Sequence, residues 1–158
     1  FFFSKYLKKS IGIDSCKYII KENNLIKNKK IFFLNYNIKN KNLYPNLKKL
    51  IYNKSNNIVY ARFFLHSLTN TEIKFFFLIA KKIIKKNGRI FVEYRTEKDK
   101  KNKKIFKNHY RNFINPKNLE NILIKLNLKS IFFKEGKGMA KYKNEDAFVA
   151  RHIIKLEA

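Results

Sequence analysis

Along this chain the spacing of apolar residues switches repeatedly between a period of two, which suits strands, and one of about 3.6, which suits helices. Ser10–Asp14 (SIGID) predicts a short strand ending on an acid, and Ser15 is placed to cap a helix running to about Asn23. Ile31–Asn35 (IFFLN) predicts a second strand. Leu43–Asn53 predicts a helix with Leu47, Leu50 and Ile51 on one side. Asn57–Phe64 (NIVYARFF) predicts a third strand.

The strongest local signals come next. Thr69 and Glu72 have the spacing of a capping box, in which each side chain satisfies the other residue's backbone N–H. Ile73, Phe76, Phe77, Ala80, Ile83 and Ile84 form a helical stripe, and Asn87-Gly88 is expected to end it with a left-handed cap. Arg89–Arg95 (RIFVEYR) has apolar residues on both faces, as a covered parallel strand does. Asn115-Pro116 opens another helix, with Leu119, Ile122, Leu123 and Leu126 toward the core. Ser130–Lys134 and Phe148–Ile154 predict late strands, joined by a segment holding Gly136 and Gly138. Strand–helix alternation followed by two strands is the pattern of an open α/β sheet. Lys98–Lys107 (KDKKNKKIFK) interrupts it. Too polar to pack, this segment is either a solvated loop or a mobile lid over a site at the strand ends.

Composition changes the picture in one direction and then back. The 158 residues make about one domain. Lys and Arg number 37 against 11 Asp and Glu, a net charge of +26, which points to nucleic acid or another anionic surface. Yet the cations are 32 Lys and 5 Arg, beside 21 Asn, 21 Ile and 16 Phe. Lys, Asn, Ile and Phe have A/T-rich codons, so genome composition competes with function as the origin of the charge. The 45% apolar content excludes a disordered tail. A single cysteine, Cys16, excludes a disulfide framework and a multi-Cys zinc site, and no metal site is supported. The run Phe75–Ala80 is far shorter than the roughly 20 residues that span a bilayer. Phe1–Phe3 lacks the flank and cleavage site of a signal peptide, so a cytoplasmic setting is expected. The chain starts without Met inside an apolar run, which suggests that its true start is missing.

In open α/β sheets ligands bind beyond the carboxyl ends of the strands. Three of the 11 acids fall at that predicted edge: Asp14, Glu93 and Glu135. Asp14 suits either a helix cap or an acceptor for ribose hydroxyls. Glu93 and Arg95 share a strand face, as a buried ion pair or as contacts to a polar substrate. His66 follows a strand and precedes the capping box, as a structural histidine or as a general base with an unperturbed pKa near about 6.5. His109-Tyr110-Arg111 unites a proton carrier, an aromatic face and an anion fork, and is read as substrate-facing rather than as a surface turn.

The order and wording of these segments resemble a class I S-adenosylmethionine-dependent methyltransferase entered part-way through. FFFSKYLKKSIGIDSCKYIIKENN resembles the stretch after the family's glycine-rich loop. Within it IGIDSCKYII matches the family's second strand, where the acid, here Asp14, holds the cofactor ribose with Ser15 beside it. IFFLNYNI resembles the third strand and its turn, which implies adenine contacts from Asn37 and Ile38, with an amide where the family often has Asp. IVYARFFLHSL resembles the fourth-strand motif, which implies that Arg62 and Phe63 bind the cofactor near its transferable methyl, with His66 close by. KKNGRIFVEYRTEKD resembles the step into the fifth strand. In one bacterial small-molecule branch a segment like NHYRNFI and an ending like EGKGMAKYKNEDAFVARHIIK also recur.

The resemblance spans nearly the whole chain and implies a Rossmann-like, mostly parallel sheet with an antiparallel last strand. It also implies a single partial domain over residues 1–158, without the first strand or the glycine-rich loop, since none of Gly12, Gly88, Gly136 and Gly138 makes such a loop. A missing central strand would leave backbone groups unpaired, at about 1–3 kcal/mol each. The chain alone is therefore expected to bind cofactor poorly and to be inactive. The implied activity is methyl transfer from S-adenosyl-L-methionine to an O or N of a small polar acceptor, an enzyme of the EC 2.1.1 class. His66 or His109 would remove the proton, and Glu93, Arg95, Tyr110, Arg111 and Glu135 would hold the acceptor. An RNA methyltransferase and a non-enzymatic basic nucleic-acid-binding domain are the rivals, and both predict binding that falls steeply with salt.

Overall fold

The computed structural model describes residues 5–51, 56–102, 104–105 and 110–157. The chain divides into two units, Phe1–Leu47 and Lys48–Ala158. In the first, β1 (Ser10–Asp14) pairs in parallel with β2 (Ile31–Asn35), so that Asp14 and Asn35 end level with each other. The helix α1 (Lys17–Asn24) connects them, and α2 (Leu43–Leu50) follows. Ser15 does not cap α1. The cap position is Cys16, and it is the Asp14 carboxylate that accepts the Cys16 N–H at 2.8 Å, because an Asp side chain reaches the N–H two residues on. The expected extension of α2 to Asn53 runs into residues outside the described ones.

In the second unit four strands form one sheet, in the order β3 (Ile58–Arg62), β4 (Arg89–Arg95), β8 (Val149–Leu156), β5 (Leu128–Gly136). β3 and β4 are parallel, and β8 is antiparallel to both β4 and β5. Thus β3, β4 and β5 end at the same edge, where β8 begins. A small hairpin not foreseen from sequence, β6 (Lys141–Tyr142) and β7 (Glu145–Asp146), fills the glycine-containing link before β8.

Between β3 and β4 runs α3 (Asn70–Ile83), started by the expected capping box: Glu72 N–H donates to Thr69 Oγ1 at 3.3 Å, and Thr69 N–H to Glu72 Oε2 at 2.9 Å. Ile73, Phe76, Phe77 and Ala80 bury its stripe. α4 (Pro116–Lys125) starts on Asn115, whose side chain accepts the Lys117 and Asn118 N–H groups, and buries Leu119 and Leu123. Tyr94, Ile90, Leu128, Val149 and Ile154 complete the core.

The end of α3 differs from expectation. The helix stops at Ile83, and Ile84 leaves it with extended backbone (φ −75°, ψ 138°), carrying its side chain into the core at 2% exposure. Gly88 is not left-handed. Its requirement is space: a Cβ there would lie 2.6 Å from Asn57 O and 2.9 Å from Ile84 Cβ. Gly88→Ala is therefore expected to cost about 1–3 kcal/mol by overpacking, read from urea unfolding midpoints at unchanged slope.

Candidate functional site at the strand ends

At the shared edge of the second sheet, Arg62 of β3 is level with Glu93 of β4, Glu93 with Arg151 of β8, and Arg151 with Lys134 of β5. Cross-strand partners share a face, so these four side chains form one row. Glu93 is buried, and its two oxygens take one guanidinium each: Arg62 Nε donates at 2.8 Å and Arg151 Nε at 2.5 Å. The hydrogen bond to Glu93 raises the Arg62 pKa above its ordinary value. Arg151 also donates from Nη2 to Met139 O at 2.7 Å, which fixes the link that leads toward β6.

One residue beyond β3, Phe63 turns left-handed at φ 54° while its N–H donates to Glu93 O at 2.8 Å. That conformation costs a non-glycine residue roughly 1–3 kcal/mol and holds only where surroundings over-determine it. Here the Arg62 and Arg95 guanidinium carbons lie 5.3 and 5.8 Å from the ring centroid, and the His66 ring meets it edge-on at 5.5 Å. Phe63 and Met139 pack on Ala140, Ala147 and Val149.

Arg95 enters a second, deeper ion cluster. Its Nη1 donates to Asp99 Oδ2 at 2.7 Å, and its Nη2 pairs with Glu145. Asp99 is fully buried and also takes the Phe148 N–H at 2.9 Å, the Asn102 amide at 2.8 Å and the Lys104 amine at 3.1 Å. Burial acts to raise its pKa, but the Phe148 N–H, Asn102, Arg95 and Lys104 outweigh it and hold the carboxyl below the usual range. Glu145 is likewise lowered: burial opposes ionisation, and the Ile105 N–H, Arg95 and Lys104 prevail.

His66 sits half-buried on a 3-10 turn, Leu65–Ser67. Burial, then the charges of Arg95 and Arg111, push its pKa down to about 4, which corrects the expected unperturbed value. Its Nδ1 is buried and has no hydrogen-bond partner among the described residues. The backbone holds the turn in place, with Asn112 N–H donating to His66 O at 2.7 Å.

The structure thus gathers Arg62, Phe63, His66, Glu93 and Arg95, all foreseen. Glu93 and Arg95 form separate ion networks rather than a pair with each other. Glu135 lies within β5 rather than beyond a strand, and pairs with Lys98 at 2.6 Å. Tyr110 is exposed, and Arg111 is near enough to His66 to depress its pKa. His109 lies outside the described residues. In the first unit Asp14 is exposed, with Oδ2 making no hydrogen bond among the described residues, and Ser15 is exposed beside it. Asn37 Oδ1 accepts the Lys39 N–H at 2.9 Å, and Ile38 is half-buried.

Asp99, Lys104, Glu145 and Arg151 were not singled out from sequence. The Lys98–Lys107 segment, expected to be too polar to pack, instead makes a 3-10 turn at Glu97–Asp99 and buries Asp99. Among its described residues the buried Asp99 is paired with Arg95 and Lys104, which is what allows that part of so polar a stretch to pack. Among the described residues no group of histidine, cysteine and acids has the arrangement of a metal site, and no helix is long and apolar enough to cross a membrane.

No protein-family model matches the chain, and no curated protein matches it in sequence. Its fold, however, is that of S-adenosylmethionine-dependent methyltransferases. An Anabaena variabilis structure of that description superposes at TM-score 0.74 and 12% identity, over 99% of this chain and 71% of that one. One from Leishmania major gives 0.67 at 10% identity, over 96% of this chain and 57% of that one, and one from Clostridium acetobutylicum gives 0.68 at 11%, over 96% and 76%.

Asp99→Asn should destabilise the second unit by about 3–5 kcal/mol, because it removes the buried charge that the half-buried Arg95 and Lys104 share. A denaturant titration at neutral pH, with Glu97→Gln as the exposed control, measures this. The histidines set a separate pH window. His66 and His152 are both held near about 4 in the folded state, His152 by burial, against 6.5 unfolded. The unfolded chain therefore binds more protons between those values, and stability should fall as pH drops from about 6.5 toward 4, before the carboxylates contribute. Urea unfolding at pH steps across that window checks the sign.

Proposed function

We propose that this chain is the catalytic core of an S-adenosylmethionine-dependent methyltransferase that acts on an O or N of a small polar molecule. The observation that carries the reading is the superposition on a methyltransferase over 99% of the chain at TM-score 0.74. The residues present fit the cofactor: Asp14 ends β1 with an exposed carboxylate oxygen unused by its own backbone, the group a ribose diol needs. Asn37 and Ile38, in the turn after β2, would contact the adenine.

When bound, the sulfonium cofactor supplies an activated methyl group. Its transfer is an in-line displacement, so the protein's task is mainly alignment. Phe63, with the Arg62 and Arg95 guanidiniums 5.3 and 5.8 Å from its ring centroid, presents an aromatic surface at the strand edge. His66 is neutral across the physiological range; its Nδ1 is buried, so the proton of the acceptor would go to Nε2, the other ring nitrogen. Its low pKa makes it a weak base, suited to receive the proton as the transfer proceeds rather than beforehand.

NMR titration of the labelled chain with S-adenosylmethionine to millimolar concentration should shift the Asp14 and Asn37 amides, and Asp14→Asn should abolish those shifts. In a labelled-methyl screen over small alcohols and amines at millimolar cofactor, turnover by this chain should be at most slow, in line with its weak cofactor binding, and should fall about 10²–10⁴-fold further in His66→Asn. Cofactor-induced shifts confined to other residues would overturn the reading.

A further inference from the structure

The methyltransferase reading leaves the acceptor unnamed, and the charge balance at the strand edge narrows it. Arg95 and Lys104 are matched by Asp99 and Glu145 in the buried cluster. In the row across the sheet the balance fails. Glu93 alone faces Arg62 and Arg151, and Lys134 stands directly opposite Arg151. Like charges directly opposite each other on adjacent strands are destabilising, so this row carries an uncompensated repulsion.

The donors that remain are well placed. Glu93 engages only the Nε of Arg62, whose Nη groups have no partner among the described residues and whose side chain is 50% exposed. Arg151 spends Nε on Glu93 and Nη2 on Met139 O, which leaves Nη1. Its side chain is 43% exposed, and Lys134 is exposed beside it. A buried carboxylate therefore orients two half-exposed guanidiniums, and the forks of such groups match a carboxylate or phosphate. Arginine is itself scarce here, at 5 against 32 lysines, yet Arg62, Arg95 and Arg151 all stand at this one edge.

We propose that Arg62, Arg151 and Lys134, held in register by Glu93, bind a carboxylate or phosphate group of the methyl acceptor. The acceptor is then an anionic small molecule whose charged end is anchored while its O or N is methylated. The assignment to the acceptor rests on the methyltransferase reading, whereas the anion clamp does not.

The test uses the whole chain labelled with ¹⁵N at arginine, whose five Nε–H signals are assigned by single Arg→Lys changes, and inorganic phosphate as the probe. Arg62 and Arg151 should shift saturably at phosphate concentrations about tenfold below those that move Arg89, which binds Gly88 O at the opposite strand ends. Lys134→Gln, at an exposed position, should weaken phosphate about two- to fivefold without lowering the melting temperature. Equal shifts at all five arginines, or none at Arg62 and Arg151, would overturn the clamp. With an acceptor in hand, Arg62→Gln should raise KM for a carboxylate-bearing acceptor about tenfold over its amide analogue and leave cofactor Kd unchanged. An equal loss of cofactor affinity would assign the clamp to the cofactor's own carboxylate and overturn the acceptor assignment. If no cofactor binds at all, that assignment falls with the methyltransferase reading, and the phosphate titration alone decides the clamp.

Discussion

The strand edge of the second unit depends on one buried carboxylate. Asp99 has no exposure, and in water-free surroundings a lone carboxylate would cost several kcal/mol. It is tolerated because donors from three stretches of chain converge on it: Arg95 from the end of β4, Asn102 and Lys104 from the polar segment after it, and the Phe148 N–H from just before β8. The strand ladder and the buried Tyr94, Val149 and Ala150 already hold β4 against β8. The ionic knot ties the polar segment after β4 to that frame and sets where Arg95 points. Arg95 in turn lies over Phe63 and, with Arg111, helps to keep His66 neutral.

Charge on this molecule has two characters. Most of the +26 is lysine spread along helices and loops, where solvent screens it. The strand-edge arginines differ in kind. Each uses a directed Nε or Nη contact to a buried acid, which a lysine amine cannot reproduce with the same geometry.

Most of the second unit was legible from periodicity. The stripe of α3, the capping box at Thr69 and Glu72, the Asn115-Pro116 start of α4 and the strands about Arg89–Arg95 are local signals, and local physics decided them. The failures share a cause. Gly88 read as a cap because Asn-Gly ends helices, but the residue is set by the approach of Asn57 and Ile84 from elsewhere. Lys98–Lys107 read as a solvated loop or a lid, and the burial of Asp99 within it was missed because the partners of Ile105 and Asp99, Glu145 and Phe148, lie forty or more residues on. Arg151 carried no local signal at all, since its role follows from the antiparallel register of β8 against β4. For the candidate site, sequence order pointed to Arg62, Phe63, His66 and Glu93, but could not say which charges cancel.

Phe63 shows how the two networks become one site. A phenylalanine with φ 54° is strained, and nothing in its own side chain favours that backbone. The turn persists because the Phe63 N–H is taken by Glu93 O, and because the ring has guanidiniums from both networks within reach, Arg62 from the Glu93 row and Arg95 from the Asp99 knot. The same ring backs the small cluster of Ala140, Ala147 and Val149, so the hairpin before β8 and the end of β3 are fixed by one residue. Fold likeness alone assigns no chemistry to these positions. A strained aromatic within reach of guanidiniums from two separate ion networks, beside a neutral histidine, is a preorganised arrangement, and preorganisation is what an alignment-limited displacement asks of a protein.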